Sequence, residues 1–276
     1  MIRGTTQLIA HFGEPIAPVV SPRIYNPYFA RHAIDIAVVP MGVGRDGYPA
    51  ALRAVLGLSN AIGAIVTMPH KQTTLALLDD FSPQVRTAGS CNAVVRRPDG
   101  ALYGELFDGL GFVAALGRHG YRPAGARCLI VGAGGAGSAI AVALAAAGVG
   151  ELAIHDIVPE HTRALIARLG EHHPEVVARP GDRDPAGFDL VVNASSLGMA
   201  AADGVPIDVA RLDPASFVAE VVMQPDPTPL LAAARARGCR TQAGIDMLFE
   251  QIPLYLAFFG LAPASMDELR ALAGIP

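Results

Sequence analysis

Two hydrophobic patterns take turns along the chain. Short apolar runs of strand length, rich in Val and Ile, are separated by longer stretches whose apolar residues recur at helical spacing. In the N-terminal part, strands are expected at QLIAHFG (7–13), IDIAVVPM (34–41), AIGAIVTM (61–68), CNAVVRR (91–97) and ALYGEL (101–106), the last two joined by the turn sequence PDG. Helices are expected around RIYNPYFARH (23–32), YPAALRAVLGL (48–58) and through TTLALLDD (73–80), while His70 reads as a surface group at a strand end. The stretch DGLGFVAALGRHG (108–120) reads as a helix that carries the chain out of this unit.

A second series begins at RCLIVGAGGAGSAIAVALAAAGVGELAIHD (127–156), which reads strand, glycine turn, helix, strand. A polar helix (159–172) follows, then strands at DLVVNASS (189–196) and SFVAEVV (216–222), the helix TPLLAAARARG (228–238), a short strand near Thr241 and the apolar, helical GIDMLFEQIPLYLAFFG (244–260). Alternation of this kind is the mark of an α/β protein. The change of pattern near Asp108 predicts two domains, 1–107 joined by 244–276, and 108–243.

Composition narrows the class. The chain has 276 residues, 51% of them apolar and 17% charged, with a formal net charge of −4. That suits a globular protein with a substantial core and gives no reason to expect a nucleic-acid or membrane partner. Three widely spaced cysteines, Cys91, Cys128 and Cys239, form no CxxC pair, so no metal is expected and a reduced, cytoplasmic protein is. Monomer and homodimer are both compatible with the apolar N-terminal part.

Gly132, Gly134 and Gly137 form G-x-G-x-x-G, directly after a predicted strand and at the start of an Ala-rich helix. In that context the turn is a dinucleotide site: the glycines permit the tight turn, close approach of the backbone to a pyrophosphate, and helix–strand packing. The site spans Gly132, Gly134, Gly135, Ala136 and Gly137. Asp156, at the end of the next strand, can hydrogen-bond ribose hydroxyls and would repel a 2′-phosphate. No Arg follows at Ile157, Val158 or Pro159, so NAD is the preferred cofactor and NADP the possible one. A helix N-cap is the competing role for Asp156.

A hydride donor needs a partner that handles the proton of the forming alcohol. Lys71, in GAIVTMPHK (63–71), and Asp108, in LFDGLGF, have the right chemistry, although a lysine at a strand end is ordinarily solvated and Asp108 could serve as an N-cap.

The motifs together resemble the shikimate dehydrogenase family from end to end. GEPIAPVVSP resembles its G-x-P-I-x-x-S-x-S-P, VTMPHK its V-T-x-P-x-K, GSCNAV its G-A-V-N-T, and GELFDGLGF its G-D-N-T-D-G-x-G. VGAGGAGSAI resembles the nucleotide turn, NASSLGM its N-A-T-x-L-G-M, and QPDPTPLL its N-P-x-x-T-P-L-L. The resemblance implies an N-terminal α/β substrate domain and a Rossmann-type NAD(P) domain with the active site in the cleft between them. It implies Lys71 and Asp108 as the catalytic pair, and Ser21, Thr67, Asn92 and Gln251 as substrate-binding residues. It also lays Asn193, Ser195, Leu197 and Met199 along the cofactor.

The expected activity is hydride transfer between NAD(P) and a cyclic hydroxy acid or polyol of the shikimate or quinate type. The alternatives are a housekeeping NADP-dependent shikimate dehydrogenase and, in another class, a catalytically silent NAD-binding sensor or scaffold. Departures from the family pattern gather at substrate contacts: Val19 replaces the first serine of S-x-S, Ile65 an asparagine, Ala93 a threonine, Glu105, Leu106 and Phe107 the D-N-T residues, and Met223 a tyrosine. Two lost hydrogen bonds to a carboxylate, each roughly 1.5–3 kcal/mol, would weaken binding of a shikimate carboxylate by about two to four orders of magnitude unless something replaces them.

Overall fold

A computed structural model describes residues 2–200 and 202–275. The chain divides into two compact units, residues up to Phe107 together with those from Ile252 onward, and Asp108–Gln251.

The first unit is built on a six-stranded sheet. Strands β1 (Gln7–Gly13), β2 (Ile36–Gly42) and β3 (Ala61–Val66) run parallel; β4 (Asp80–Phe81), β5 (Ala93–Arg96) and β6 (Leu102–Glu105) complete the order β2-β1-β3-β5-β6-β4. β5 runs antiparallel to both β3 and β6. Helices α1 (Ser21–Arg31), α2 (Tyr48–Leu56) and α3 (Pro83–Ala88) belong to this unit. α3 begins with the Ser82 hydroxyl accepting from the Val85 N–H and ends at Gly89 in the left-handed region.

The helix expected through 73–80 is only a short 3-10 helix, Thr73–Leu77. Beyond it Leu78 is extended, and Asp79 is drawn to the sheet edge: its N–H donates to the Leu102 carbonyl at 2.9 Å and its carboxylate accepts from the Leu102 N–H at 2.8 Å. Pairing at the edge outweighs the modest helical preference of the segment.

In the second unit, α4 (Asp108–Arg118) leads into β7 (Arg127–Val131), α5 (Gly135–Ala146), β8 (Glu151–His155), α6 (Pro159–His172), β9 (Val177–Pro180), β10 (Leu190–Asn193), β11 (Phe217–Glu220), α7 (Pro229–Ala236) and β12 (Arg240–Gln242). The sheet is parallel throughout, in the order β9-β8-β7-β10-β11-β12. Successive strands are added outward to one side from β7 to β9 and to the other from β10 to β12, which makes the carboxyl ends of β7 and β10 the topological switch point of a Rossmann-type sheet.

The residues Gly137–Ala145 of the apolar α5 are all buried, so it is a core helix. No helix of the described residues is long and apolar enough to cross a membrane. Its packing explains D-G-L-G: a Cβ on Gly109 would collide with the Ala139 carbonyl of α5.

Two further helices close the chain, α8 (Gly244–Phe258) and α9 (Met266–Ala273), the latter packing on α1. The second division between the units falls inside α8, after Gln251, rather than at Gly244 where the domain expectation put it. Residues 244–251 stay with the second unit because they pack within it: a Cβ on Gly111 of α4 would meet the Met247 carbonyl and the Gln251 Cγ, and one on Gly244 the Val221 carbonyl.

Candidate functional site

The nucleotide half of the candidate site lies at the switch point of the second unit. Gly132 follows β7 with φ +108°, a conformation that favours glycine, and a Cβ there would lie 2.6 Å from the Ala194 backbone. Gly137 is equally constrained, since its Cβ would strike the Gly132 carbonyl. Gly134 differs: nothing lies within 4 Å of where its Cβ would be, and it caps the N-terminus of α5. Bare backbone facing open space at a helix N-terminus is what a pyrophosphate requires, so the turn fits a dinucleotide.

Asp156 closes over this turn. Its Oδ2 accepts from the Ala133 N–H at 2.6 Å, its Oδ1 accepts from the Val158 N–H at 2.8 Å, and His161 Nδ1 lies 3.4 Å from Oδ1. It is not the N-cap of α6, a position held by Val158.

The N-A-S-S-L-G-M loop is tied to Asn193, the last residue of β10. Asn193 Oδ1 accepts from the Ser195 N–H at 3.1 Å and the Ser195 hydroxyl at 2.7 Å, Nδ2 donates to the Leu197 carbonyl at 3.0 Å, and the Leu197 N–H donates to Ser195 Oγ at 3.2 Å. Beneath it, Glu220 is wholly buried at the end of β11, where it accepts from Thr228 Oγ1 at 2.5 Å and Asn193 Nδ2 at 3.4 Å. Burial pushes its carboxyl up, against the pull of those two donors. Thr228 also caps α7 by accepting from the Leu231 N–H. Sequence reasoning missed this Glu220–Thr228 support; its one visible signal was an acid inside the apolar run SFVAEVV. Met199 is exposed at the loop's end.

The other half of the predicted set belongs partly to the first unit. Lys71 is half-buried in the turn after β3, and Thr67 starts that turn. Two backbone bonds clamp the turn to the entry of β5: the Val66 N–H to the Asn92 carbonyl at 2.8 Å, and the Cys91 N–H to the Lys71 carbonyl at 2.9 Å. Lys71 and Asn92 are thereby brought into one neighbourhood. Asn92 is 1% exposed; its Oδ1 accepts from the Phe107 N–H at 3.0 Å, and its Nδ2 has no hydrogen-bond partner among the described residues. A buried amide N–H group left open in this way is unusual, since buried polar groups are ordinarily paired.

His70 is not a surface group. It is wholly buried, stacks on Tyr48 with ring centroids 4.0 Å apart, and its Nε2 is 2.8 Å from the Val43 carbonyl. It braces the turn that carries Lys71, because the strand-end position faces α2 rather than solvent.

Ser21 opens α1 and is buried, with its Oγ 2.5 Å from Nδ1 of His11 on β1. Sequence reasoning missed His11, whose only signal was a polar residue in the middle of QLIAHFG. Burial first, and the charge of Lys71 second, lower its pKa to about 3. Arg23, next but one to Ser21, is exposed.

Leu106 and Phe107, which depart from the family pattern, are buried apolar groups; the Phe107 ring meets Tyr255 edge-on at 4.9 Å and Phe258 at 5.5 Å. Two remaining predicted residues, Asp108 at the first position of α4 and Gln251 in α8, are buried in the second unit. Glu250, beside Gln251, faces Arg118 at 3.2 Å. Among the described residues no group of three or more His, Cys, Asp or Glu is arranged to hold a metal ion.

Comparison with known proteins places these features. A family profile described as "Shikimate dehydrogenase substrate binding domain" matches residues 12–94. A shikimate dehydrogenase (NADP(+)) of Acidiphilium cryptum (strain JF-5) is 40% identical over 275 residues, 99% of this chain and 98% of that one. The structure of shikimate 5-dehydrogenase from Listeria monocytogenes, solved with shikimate and NAD, aligns with a TM-score of 0.89 at 27% identity, covering 98% of this chain and 97% of that one. The ligand-free 5-ketofructose reductase of Gluconobacter sp. strain CHM43 aligns with a TM-score of 0.85 at 28% identity, covering 98% of each chain. With its Rossmann-type sheet, its glycine turn and its end-to-end identity to a named member, this chain belongs to the shikimate dehydrogenase family.

Proposed function

We propose that this protein is an NAD-dependent oxidoreductase that interconverts a hydroxyl and a ketone on a cyclic hydroxy acid of the shikimate or quinate type. The observation that carries the reading is the 40% identity over 99% of the chain to the Acidiphilium shikimate dehydrogenase. Chemistry at the named residues supports it.

When bound, the reduced nicotinamide supplies the hydride. Gly132, Gly134, Gly135, Ala136 and Gly137 cradle its pyrophosphate at the N-terminus of α5, and Asn193, Ser195, Leu197 and Met199 line it. Asp156 holds the adenosine ribose. Its negative charge and the lack of an Arg at 157–159 favour NAD, although the Acidiphilium relative is named for NADP(+); the Listeria relative was solved with NAD.

Lys71 gives its proton to the oxygen of the ketone as that carbon is reduced, and takes the proton back in the reverse direction. Asp108 orients the ammonium group and accepts from a substrate hydroxyl. Asn92 donates its open Nδ2 to another hydroxyl, and Ser21, Thr67 and Gln251 complete the substrate contacts.

Initial rates with shikimate and quinate, each with NAD and with NADP, test the reading. Turnover of either acid with a preference for NAD is the expected result. Measurable NAD binding without turnover of either acid would overturn it and turn the search to carboxylate-free ketoses, the chemistry in the name of the Gluconobacter neighbour.

A further inference from the structure

His11 has no part in the reading above, yet its surroundings are unusual. It lies mid-strand on β1, in register with Pro40 on β2 and Ile65 on β3, and is 7% exposed. A buried imidazole among apolar strands is costly unless both ring nitrogens are used. Here one is used and one is not: Nδ1 is 2.5 Å from Ser21 Oγ, while Nε2 has no hydrogen-bond partner among the described residues.

That asymmetry fixes the direction of the bond. A neutral imidazole carries one N–H and one bare nitrogen. Orphaned buried N–H groups are rarer than under-used acceptors, so hydrogen-bond accounting assigns the proton to Nδ1 and leaves the lone pair on Nε2. His11 then donates to Ser21 Oγ. The Ser21 hydroxyl proton cannot point back at the ring, and no bond from Ser21 Oγ to an acceptor occurs among the described residues. It is a donor in search of an oxygen, at the start of a helix whose N-cap, Val20, supplies no side-chain cap.

We propose that His11 is a positioning residue for substrate selection: by donating to Ser21 Oγ it turns that hydroxyl into a fixed donor for the carboxylate of the substrate. The proposal rests on the functional reading above. It gives this chain one strong, oriented contact at a site where Val19 offers none, and Lys71, whose charge acts on His11, stands in the same neighbourhood of the first unit.

Steady-state kinetics on His11→Leu, His11→Asn, Ser21→Ala and the double variant His11→Leu/Ser21→Ala, with shikimate and its methyl ester, test it. NAD affinity serves as the check that each variant is folded. For shikimate, His11→Leu is expected to raise KM by about ten- to a hundredfold, the range of one hydrogen bond to a charged group, with kcat held within about threefold. Asn keeps a donor near the Nδ1 position and recovers most of the loss. The double variant is no worse than Ser21→Ala alone, and the penalty shrinks for the ester, which lacks the charge. Additive losses, a fall in kcat at unchanged KM, or an equal penalty on acid and ester would overturn the role of His11 while leaving the functional reading intact. Should His11→Leu fail to fold, His11→Asn against Ser21→Ala decides by the same comparison. A wild type idle on both shikimate and quinate overturns the functional reading itself, and the carboxylate assignment with it.

Discussion

The candidate residues of the two units meet their hydrogen-bonding needs in opposite ways. Around the glycine turn of the second unit and its neighbouring loop the polar groups are engaged: Asn193 with Ser195 and Leu197, Asp156 with Ala133 and Val158, Glu220 with Thr228. In the first unit the polar groups are engaged on one side only, with Asn92 Nδ2 and His11 Nε2 buried and open. A dinucleotide is met mainly by backbone and helix dipole, so the side chains around it can serve as scaffold. A small polyhydroxylated acid must be met by side chains, so those must hold donors or acceptors in reserve, and holding a reserve costs stability.

The sharpest test removes the group proposed to move the proton. Lys71→Ala should lower kcat by about 10²–10⁴-fold, the usual worth of a positioned proton donor, and leave NAD affinity within about twofold. Single-turnover kinetics and NAD titration together check it. A protein whose only task is to sense the nucleotide would have no turnover to lose and would keep its NAD affinity.

The open groups of the first unit also predict a pH dependence. His11 has its pKa lowered from 6.5 to about 3, by burial first and by the Lys71 charge second. Between those values the unfolded chain binds the proton that the folded one refuses, so stability present above pH 6.5 is lost as pH falls toward 3. Each pH unit below 6.5 costs about 1.4 kcal/mol, which gives roughly 2 kcal/mol at pH 5. Chemical denaturation of the wild type and of His11→Leu at pH 7 and pH 5 isolates this share: the wild type should lose about 2 kcal/mol relative to the variant. Equal losses would show that the ring titrates normally in the fold.

The same contrast decides what the sequence could reveal. Gly132, Gly134 and Gly137 were legible because the backbone geometry they serve leaves few other residues possible, and the polar helix 159–172 was legible because its face repeats with helical period. The end of the first unit was not. Residues 244–251 look like the rest of α8, and only their packing on Gly111 and Val221 assigns them to the second unit. His70 was misread because a strand-end histidine carries no mark of the Tyr48 ring that stacks on it. His11 was missed because Ser21, the residue that gives it meaning, lies on another element.

Within the nucleotide half, two glycines separate scaffold from ligand. Gly137→Ala drives a Cβ into the Gly132 carbonyl and should destabilise the protein by about 1–3 kcal/mol, as overpacking does. Gly134→Ala meets no protein atom within 4 Å, and its φ of −72° suits any residue, so the fold should be unchanged while NAD binding weakens. Thermal melts with and without NAD distinguish the two. A Gly134→Ala protein that binds NAD normally would mean that the pyrophosphate does not approach the turn.

The smallest effect expected is at Asp156, beside the glycine turn of the second unit. Its carboxylate accepts from the glycine turn and, in the proposed function, carries the charge that would face the ribose, so charge and scaffold must be separated. Asp156→Asn keeps an acceptor for the Ala133 N–H but removes the charge. Two unit charges about 4 Å apart interact by about 1 kcal/mol in water and about 4 kcal/mol near a protein surface. Asp156 is only half-buried, so the lower end applies and relief of the repulsion is worth roughly fivefold. His161, 3.4 Å from Oδ1 in the wild type, is then released from its carboxylate partner and can approach a 2′-phosphate. The ratio of kcat/KM for NADP to that for NAD should therefore rise by about fivefold in Asp156→Asn. An unchanged ratio would leave Asp156 with the glycine turn as its sole task and would return the cofactor choice to NADP, the cofactor named for the Acidiphilium relative.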